Sequence, residues 1–301
     1  MDTPETRITR HVDTSAWSPW LPATPGFDHL VVETPGLHTH VATVGEGEPV
    51  VLLHGFPQHW WQWRTVAPAI AARGYRAICP DLRGAGWTVA DDPRVERETR
   101  LRDLLALFDV LDIERAHLVS HDMGAITAMQ LTYDHPERVR SAVQLSVPPA
   151  FMKFSPKVAR GFRHLPPFIW HRPGASLRGV FSEAYVAHPL SEATVEAHLA
   201  PMRRDDIDGA VRPLTRGMIL PEAMRLAGGV YRRRRLTVPT LVVFGRQDHP
   251  WAEHLGRICR DPERYADRIE FAYVDDAAHF ITDDAPTAVA DLAIDWLARA
   301  A

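Results

Sequence analysis

The 301-residue sequence has few of the features that mark several common protein classes. Its two cysteines, Cys79 and Cys259, are too few for a disulfide scaffold or a structural zinc site. No apolar run approaches the roughly 20 residues that a membrane-spanning helix needs, and the first residues lack the basic-then-apolar order of a signal peptide. Lys153 and Lys157 are the only lysines, and the net charge of −4 gives no general attraction to nucleic acid or anionic lipid. We therefore expect a soluble, cytoplasmic protein that has no membrane span and binds no nucleic acid.

The composition is that of an ordinary globular protein. Hydrophobic residues make up 46% of the chain and charged residues 24%, which argues against wholesale disorder. The length suits one large domain, or one domain that carries a substantial insertion.

Short apolar runs alternate with longer amphipathic patterns along most of the chain. The runs predict buried strands at 50–53, 77–79, 117–119, 142–145, 241–244 and 269–274, with helices around 101–111 and 289–297 between or after them. Such alternation predicts an α/β protein with a mostly parallel sheet flanked by helices.

This alternation stops between residues 148 and 232. Prolines cluster there, and short helical patterns follow at 184–187 and 192–199. The segment is too long for a simple connecting loop. We predict a helical cap, inserted between a first core part at 1–147 and a second at 233–301, over the sheet edge where ligands bind in open α/β folds.

The sequence Ser120-His121-Asp122-Met123-Gly124 follows a predicted buried strand and opens a helix. Small residues on both sides of a polar residue at such a turn are typical of a nucleophile elbow, here with Asp122 at the apex. Asp122 at a helix N-terminus also fits a plain capping residue, because Asp caps helices routinely.

Two later strands also end in polar residues. Asp248 follows the predicted strand at 241–244, and His279 follows the strand at 269–274. The order nucleophile, acid, histidine, with each residue at a strand end, is the chain order of the catalytic triad in α/β-hydrolases. His54-Gly55 ends an earlier strand in a turn suited to presenting a backbone N–H, and we interpret His54 as a structural hydrogen-bonding residue of that turn.

Six motifs together resemble the epoxide hydrolase branch of the α/β-hydrolase fold. They are His54-Gly55-Phe56-Pro57, Trp60-Trp61-Gln62-Trp63-Arg64, Asp81-Leu82-Arg83-Gly84-Ala85-Gly86, Ser120-His121-Asp122-Met123-Gly124-Ala125, Gly245-Arg246-Gln247-Asp248 and Ala278-His279-Phe280. The resemblance covers 27–147 and 236–301, whereas the insertion matches only weakly. Ser120 stands where the family usually has glycine.

The resemblance implies a role for each of these residues. Asp122 would be the nucleophile, His279 the base and Asp248 its orienting acid, with the backbone N–H groups of Phe56 and Met123 as the oxyanion hole. It implies no cofactor and no metal.

The family commonly places two tyrosines in the cap as hydrogen-bond donors to the epoxide oxygen. Tyr231 resembles the second of these, and His171 stands near the first, with Tyr185 as the alternative. His171 fits a solvated loop histidine nearly as well. Trp60, Phe151 and Trp170 are candidates for a hydrophobic substrate pocket, although such residues are more often simple core.

An aspartate nucleophile narrows the chemistry to attack on an sp³ carbon through an ester intermediate. We expect an epoxide hydrolase that acts on a small hydrophobic epoxide, as part of detoxification, and whose apolar cap surface permits a homodimer. The alternatives are a haloalkane or haloacid dehalogenase with the same nucleophile, an ester hydrolase, and a non-catalytic ligand-binding protein. Met123 follows the predicted nucleophile, and Phe56 follows His54-Gly55. Both differ from the halide-binding residues that dehalogenase relatives have at these positions.

Overall fold

The computed structural model describes residues 7–10, 14, 21–153, 165–249 and 251–300. Its centre is a ten-stranded sheet in the order β1-β2-β3-β5-β4-β7-β8-β9-β10, with β6 paired to β3. The strands are β1 (Arg7–Arg10), β2 (Asp28–Thr34), β3 (Leu37–Val44), β4 (Glu48–Leu53), β5 (Tyr75–Pro80), β6 (Val89–Ala90), β7 (Ala116–His121), β8 (Val139–Leu145), β9 (Thr240–Gly245) and β10 (Ile269–Val274).

The sheet is parallel from β5 to β10 and antiparallel at the β1 end. Strands β5, β4, β7, β8, β9 and β10 pair in parallel, whereas β1, β2, β3 and β5 pair antiparallel. The carboxyl ends of β4, β7, β8, β9 and β10 therefore meet at one edge, which brings the loops after them together.

Helices cover both faces of the sheet and fill the interval between β8 and β9. They are α1 (Val66–Ala71), α2 (Thr99–Val110), α3 (Asp122–Asp134), α4 (Leu165–Ile169), α5 (Glu192–Leu199), α6 (Asp205–Leu214), α7 (Leu220–Ala227), α8 (Trp251–Ile258), α9 (Ile281–Asp284) and α10 (Pro286–Ala300). A π-helical turn at Thr215–Ile219 joins α6 to α7. No helix within the described ranges is long and apolar enough to cross a membrane.

Two apolar layers enclose the central strands. On one face α2, α3 and α8 pack on residues such as Val51 and Leu118, and on the other α1 and α10 pack on the alternate residues Leu52 and Val119. Because successive residues of a strand point to opposite faces, a strand covered on both sides carries a run of consecutive apolar residues at its centre. This explains why the apolar runs identified these strands.

All six predicted strands are confirmed as β4, β5, β7, β8, β9 and β10, and both predicted helices as α2 and α10. Strands β1, β2, β3 and β6 were not predicted. In β3 the polar residues His38, Thr39 and His40 interrupt the apolar pattern of this antiparallel strand.

Between β8 and β9 the described residues form helices and turns without a strand. The predicted helix at 192–199 is confirmed as α5, whereas 184–187 forms a turn. Residues 154–164 of the predicted cap lie outside the described residues.

Candidate active site

Asp122 lies at the sharpest turn of the sheet edge. Strand β7 ends at His121 and α3 begins at Asp122, so the chain reverses without a connecting loop. Asp122 has φ of +47°, in the left-handed region that non-glycine residues adopt only at an energetic cost. The N-terminus of the 13-residue α3 favours a carboxylate through its free N–H groups and dipole.

Two glycines leave room for this turn. A Cβ atom on Gly124 would collide with the carbonyl oxygens of Leu53 and His54, and one on Gly55 would lie 2.9 Å from the Cβ of Asp122. Strand β4 and the first turn of α3 therefore approach each other as closely as the backbone permits. This agrees with the predicted elbow, in which small residues flank the apex.

Asp248 and His279 come from the loops after β9 and β10. The N–H of Gln247 donates to the carbonyl oxygen of Ala277 at 2.9 Å, and a Cβ on Gly245 would collide with that same oxygen. The two loops are thus joined backbone to backbone, and Asp248 reaches the ring of His279.

His279 lies between the two carboxylates. Its Nδ1 is 3.2 Å from Oδ2 of Asp248, and its Nε2 is 3.7 Å from Oδ1 of Asp122. The structure thus brings together the three residues that the sequence predicted as nucleophile, acid and base.

Three side chains hold the backbone around His279. The carbonyl oxygen of His279 accepts hydrogen bonds from Nε2 of His121 and from Oγ of Ser146, each at 2.8 Å. The carboxylate of Asp284 accepts the N–H of Ala278 at 2.8 Å. The orientation of the His279 ring therefore depends on residues from β7, from the end of β8 and from α9.

The charge of His279 is set by opposing effects. Burial disfavours the imidazolium, but the charge of Asp248, its hydrogen bond to His279 and the charge of Asp122 raise the pKa of His279 to about 10. In contrast, burial lowers the pKa of His121 to about 4, so this ring is neutral and its Nε2–H is the donor to the His279 carbonyl.

The turn after β4 agrees with the interpretation of His54 as structural. Nδ1 of His54 donates to the carbonyl oxygen of Gly55 at 2.7 Å, and its Nε2 accepts the N–H of Leu82 at 2.9 Å. Burial lowers the pKa of His54 to about 4, which keeps the ring neutral. Phe56 directly follows Gly55, whose backbone packs against Asp122.

A cavity opens beside Asp122 and His279 and is mostly apolar. Its lining residues come from α3, the segment after β8, α4, the π-helical turn, α7, α8 and the loop after β10. They are Asp122, Met123, Ile126, Met129, Ser146, Val147, Pro148, Met152, Leu165, Ile219, Ala223, Leu226, Trp251 and His279. The polar groups among them are the carboxylate, the imidazole and the hydroxyl of Ser146. A ligand bound here would be held mainly by apolar contact.

Tyr231 lies outside this cavity, contrary to the prediction that it faces the substrate. Its side chain is fully buried against Tyr133, with the ring centroids 4.8 Å apart, and its hydroxyl donates to Oε1 of Glu222 at 2.5 Å. Burial, reinforced by the Glu222 carboxylate, raises the pKa of Tyr231. The Tyr231 hydroxyl, which the sequence predicted to donate to the substrate, donates instead to the buried carboxylate of Glu222.

His171 is also placed differently from the prediction. Its Nε2 lies 2.6 Å from Oδ1 of Asp208, and the other oxygen of that carboxylate accepts the N–H of Gly174. The ring is buried and lines a separate groove with Arg212 and Arg216. His171 is neither a solvated loop residue nor part of the cavity beside Asp122.

None of the three predicted pocket aromatics lines the cavity. Trp60 is fully buried near His29, Phe151 stacks on Tyr265 with 5.2 Å between ring centroids, and Trp170 is 65% exposed. The first two are core residues, the alternative that the sequence left open. Tyr185 is the tyrosine near the triad, with its ring centroid 6.3 Å from that of His279.

Several residues of the site were not singled out from the sequence. Ile126 and Met129 follow Met123, the predicted oxyanion-hole residue, at three-residue spacing and share one face of α3 with it, a spacing that indicates a common surface once the helix is known. Ser146 has φ of +59°, and no local sequence signal marks it. Ala223, Leu226 and Trp251 reach the cavity only through tertiary packing.

Fold and site together define a protein of the α/β-hydrolase class. The model of the alpha/beta hydrolase fold family matches residues 48–286, and the chain belongs to this family.

Individual relatives are similar to different extents. The chain is 41% identical over 143 residues to "Epoxide hydrolase 2" of Siraitia grosvenorii, a match that covers 46% of this chain and 44% of that protein. It is 27% identical over 280 residues to the soluble epoxide hydrolase of Corynebacterium sp. (strain C12), covering 87% and 94% of the two chains. Among solved structures, an epoxide hydrolase from Vigna radiata is similar with a TM-score of 0.74 and 26% identity, covering 92% of this chain and 100% of that one.

Proposed function

We propose that this protein is an epoxide hydrolase that converts a small hydrophobic epoxide to a vicinal diol. The observation that carries the proposal is the carboxylate of Asp122 at a strained elbow, next to an imidazole that a second carboxylate orients. The relatives named as epoxide hydrolases support the same activity. A carboxylate nucleophile suits attack on the sp³ carbon of an epoxide, which forms an ester.

In the first step an oxygen of Asp122 bonds to a ring carbon as the carbon–oxygen bond of the epoxide breaks. The leaving oxygen becomes a hydroxyl and needs one proton. Because the pKa of His279 is about 10 in the resting site, its imidazolium holds a proton that balances this demand. Transfer of that proton, directly or through a donor at the epoxide oxygen, leaves a neutral imidazole beside a neutral ester.

Tyr185 is our candidate for the donor at the epoxide oxygen. The N–H of Phe280 donates to the carbonyl oxygen of Tyr185 at 3.1 Å, and the Asp284 carboxylate that holds Ala278 also accepts the N–H of Ala187. The segment around Tyr185 is thus attached to the loop that carries His279. A phenol remains a donor throughout the neutral pH range, and it would stabilise the charge that develops during ring opening.

In the second step the neutral His279 takes a proton from water, and the resulting hydroxide attacks the ester carbonyl of Asp122. We assign the oxyanion of the tetrahedral intermediate to the backbone N–H groups of Phe56 and Met123, at the turn after β4 and the first turn of α3. Asp248 stabilises the imidazolium. Collapse of the intermediate releases the diol and restores the carboxylate.

We propose that residues 148–232 are the cap over this site and that 1–147 and 233–301 are the two parts of the core. Helix α7 supplies Ala223 and Leu226 to the cavity, and Leu165 begins α4. The apolar lining supports a hydrophobic substrate, since charged or strongly polar groups would lose hydration without gaining partners.

The test is an assay of three substrates with the purified protein. We expect diol formation from styrene oxide, no bromide release from 1-bromobutane and no hydrolysis of p-nitrophenyl butyrate, with diol formation abolished in Asp122→Ala. Bromide release without diol formation would instead identify a dehalogenase. Absence of all three reactions, with binding of an apolar ligand retained, would identify a non-catalytic binding protein.

A further inference from the structure

A buried polar network lies directly behind the wall of the cavity. Oε2 of Glu222 accepts hydrogen bonds from Nη1 of Arg97 at 2.9 Å and from Nε2 of Gln130 at 2.8 Å, and Oε1 accepts from the hydroxyl of Tyr231 at 2.5 Å. We call these four residues the Glu222 network. Glu222 is fully buried, and removing a partner from a buried charge is strongly unfavourable. The network therefore holds α7 in a defined position.

The network connects two helices that both line the cavity, α3 and α7. Glu222 directly precedes Ala223, which lines the cavity from α7, and Gln130 directly follows Met129, which lines it from α3. The hydrogen bond between Glu222 and Gln130 thus joins positions next to the two walls. Helix α3 begins at Asp122, so the same bond relates α7 to the nucleophile.

A second attachment lies one helical turn earlier in the chain. Gly217, in the π-helical turn before α7, packs so closely on the loop before α2 that a Cβ atom would overlap the carbonyl oxygen of Val95. Ile219 lines the cavity between this contact and Glu222. The segment 217–222 is therefore fixed at two points on the loop that carries Val95 and Arg97.

We propose that the Glu222 network is a specificity-determining device that sets the separation of α7 from α3 and so selects the chain length of the substrate's apolar substituent. Glu222 and Tyr231 act through Ala223 and Leu226 and are positioning residues. The proposal rests on the proposed epoxide hydrolase function for its substrate class. One methylene in a hydrophobic pocket changes specificity by about 10- to 200-fold, so a small movement of α7 has a large effect.

The kinetic test compares kcat/KM for 1,2-epoxybutane and 1,2-epoxydecane. Glu222→Ala removes the hydrogen bond that joins α7 to α3, so the cavity should widen. We therefore expect the ratio of kcat/KM for 1,2-epoxydecane to that for 1,2-epoxybutane, the long-to-short ratio, to rise by about tenfold or more. Tyr231→Phe removes one of the three donors and should raise the ratio less. Glu222→Gln should keep a ratio near that of the wild type, because its amide oxygen can accept from Arg97 and Gln130 while its NH₂ donates to the Tyr231 hydroxyl.

Asp103→Asn is the matched control. It breaks another ion pair shielded from solvent, that of Asp103 with Arg83, whose residues do not line the cavity beside Asp122. We expect this variant to lose stability without a change in the chain-length ratio. If Glu222→Ala does not fold, Tyr231→Phe carries the test.

A binding assay separates failure of this proposal from failure of the proposed function. Trp251 lines the cavity, so its fluorescence should change when butanamide or decanamide binds, and neither amide undergoes the reaction. The part of the fluorescence change that is lost in Trp251→Phe measures this binding. If the wild type opens no epoxide, the function is wrong, and the ratio of the two amide affinities still tests the network. A folded Glu222→Ala whose long-to-short ratio falls or stays within about twofold of the wild type in both assays would overturn the proposal.

Discussion

His279 has opposite requirements before and after ester formation. Before the reaction, burial opposes the charge on the ring, but Asp248 and Asp122 raise its pKa to about 10. Esterification of Asp122 removes one of these two charges, so the pKa of His279 falls in the intermediate, where a neutral imidazole has to accept a proton from water. In the proposed mechanism His279 thus becomes available as a base only after Asp122 has reacted.

The same reasoning predicts the effect of neutralising Asp122 by mutation. Asp122→Asn removes one of the charges that raise the pKa of His279, so the ring should titrate at a lower pH than in the wild type. Nitrogen-15 NMR of the His279 ring as a function of pH measures this. Asp276→Asn is the control, because Asp276 is exposed on the neighbouring turn and pairs with His188. An unchanged or higher pKa in Asp122→Asn would contradict the account.

Apart from the proposed nucleophile Asp122, Asp248 should matter for turnover more than any other acid near His279. Asp248→Asn removes the carboxylate 3.2 Å from Nδ1, which sets the tautomer and stabilises the imidazolium, and turnover should fall by about 10⁴-fold. Asp275→Asn and Asp276→Asn are the matched controls in steady-state kinetics, since both residues lie in a turn and Asp275 pairs with Arg246. A comparable loss in either control would show that the wrong acid has been assigned.

Tyr185 is predicted to donate to the leaving oxygen. Tyr185→Phe should slow the single-turnover alkylation by about 100-fold, the typical effect of one lost acid or oxyanion donor. Tyr75→Phe and His171→Ala should leave the alkylation rate unchanged, because Tyr75 packs on His117 and His171 pairs with Asp208. An unaltered burst in Tyr185→Phe would exclude this tyrosine from the reaction.

At the scale of elements, the junction of β7 with α3 determines where the nucleophile lies. The chain changes from strand to helix between His121 and Asp122, and Gly124 lets the first turn of α3 lie on the end of β4. The position of Asp122 therefore depends on the contact between the backbones of α3 and β4. Side-chain rearrangement could not relieve a clash introduced at this contact.

Gly124→Ala tests this coupling. The added methyl group would meet the carbonyl oxygens of Leu53 and His54, and overpacking of this kind lowers the free energy of unfolding by about 1–3 kcal/mol. Gly209→Ala is the control within another helix, α6. A Cβ there meets nothing within 4 Å, and replacing a helical glycine by alanine gains about 0.5–1 kcal/mol. Urea unfolding of both variants measures the difference, and equal effects would contradict the close packing of α3 on β4.

The parallel strands and the triad were predictable because local sequence determines them. Strand β9 is buried throughout and its run at 241–244 is apolar, and the polar residues that follow β7, β9 and β10 are conspicuous after apolar runs. Strand β3 was missed because its pattern contains His38, Thr39 and His40. The cavity wall was not predictable. Whether the Tyr231 hydroxyl donates to the substrate or to Glu222 depends on how α7 packs on α3, and no local sequence pattern encodes that packing.

At the scale of the whole molecule, the parallel sheet gathers residues from distant parts of the chain at one edge. Asp122, Asp248 and His279 each follow a different strand, and the helices between β8 and β9 supply part of the cavity. We propose that residues at this edge of the sheet carry out the reaction and that the helices between β8 and β9 determine the shape of the substrate cavity. The proposed function depends on one event at that edge, the formation of an ester on Asp122.

Intact-protein mass spectrometry of His279→Gln after mixing with styrene oxide tests this event most directly. Without His279 the leaving oxygen can still take its proton from water, so the ester should form, but it should not be hydrolysed, and we predict that the protein gains the mass of one substrate molecule. The gain should be absent in His279→Gln combined with Asp122→Ala, and peptide mapping should place it on Asp122. A His279→Gln protein with unchanged mass, or an Asp122→Ala protein that still forms diol at the wild-type rate, would contradict the account.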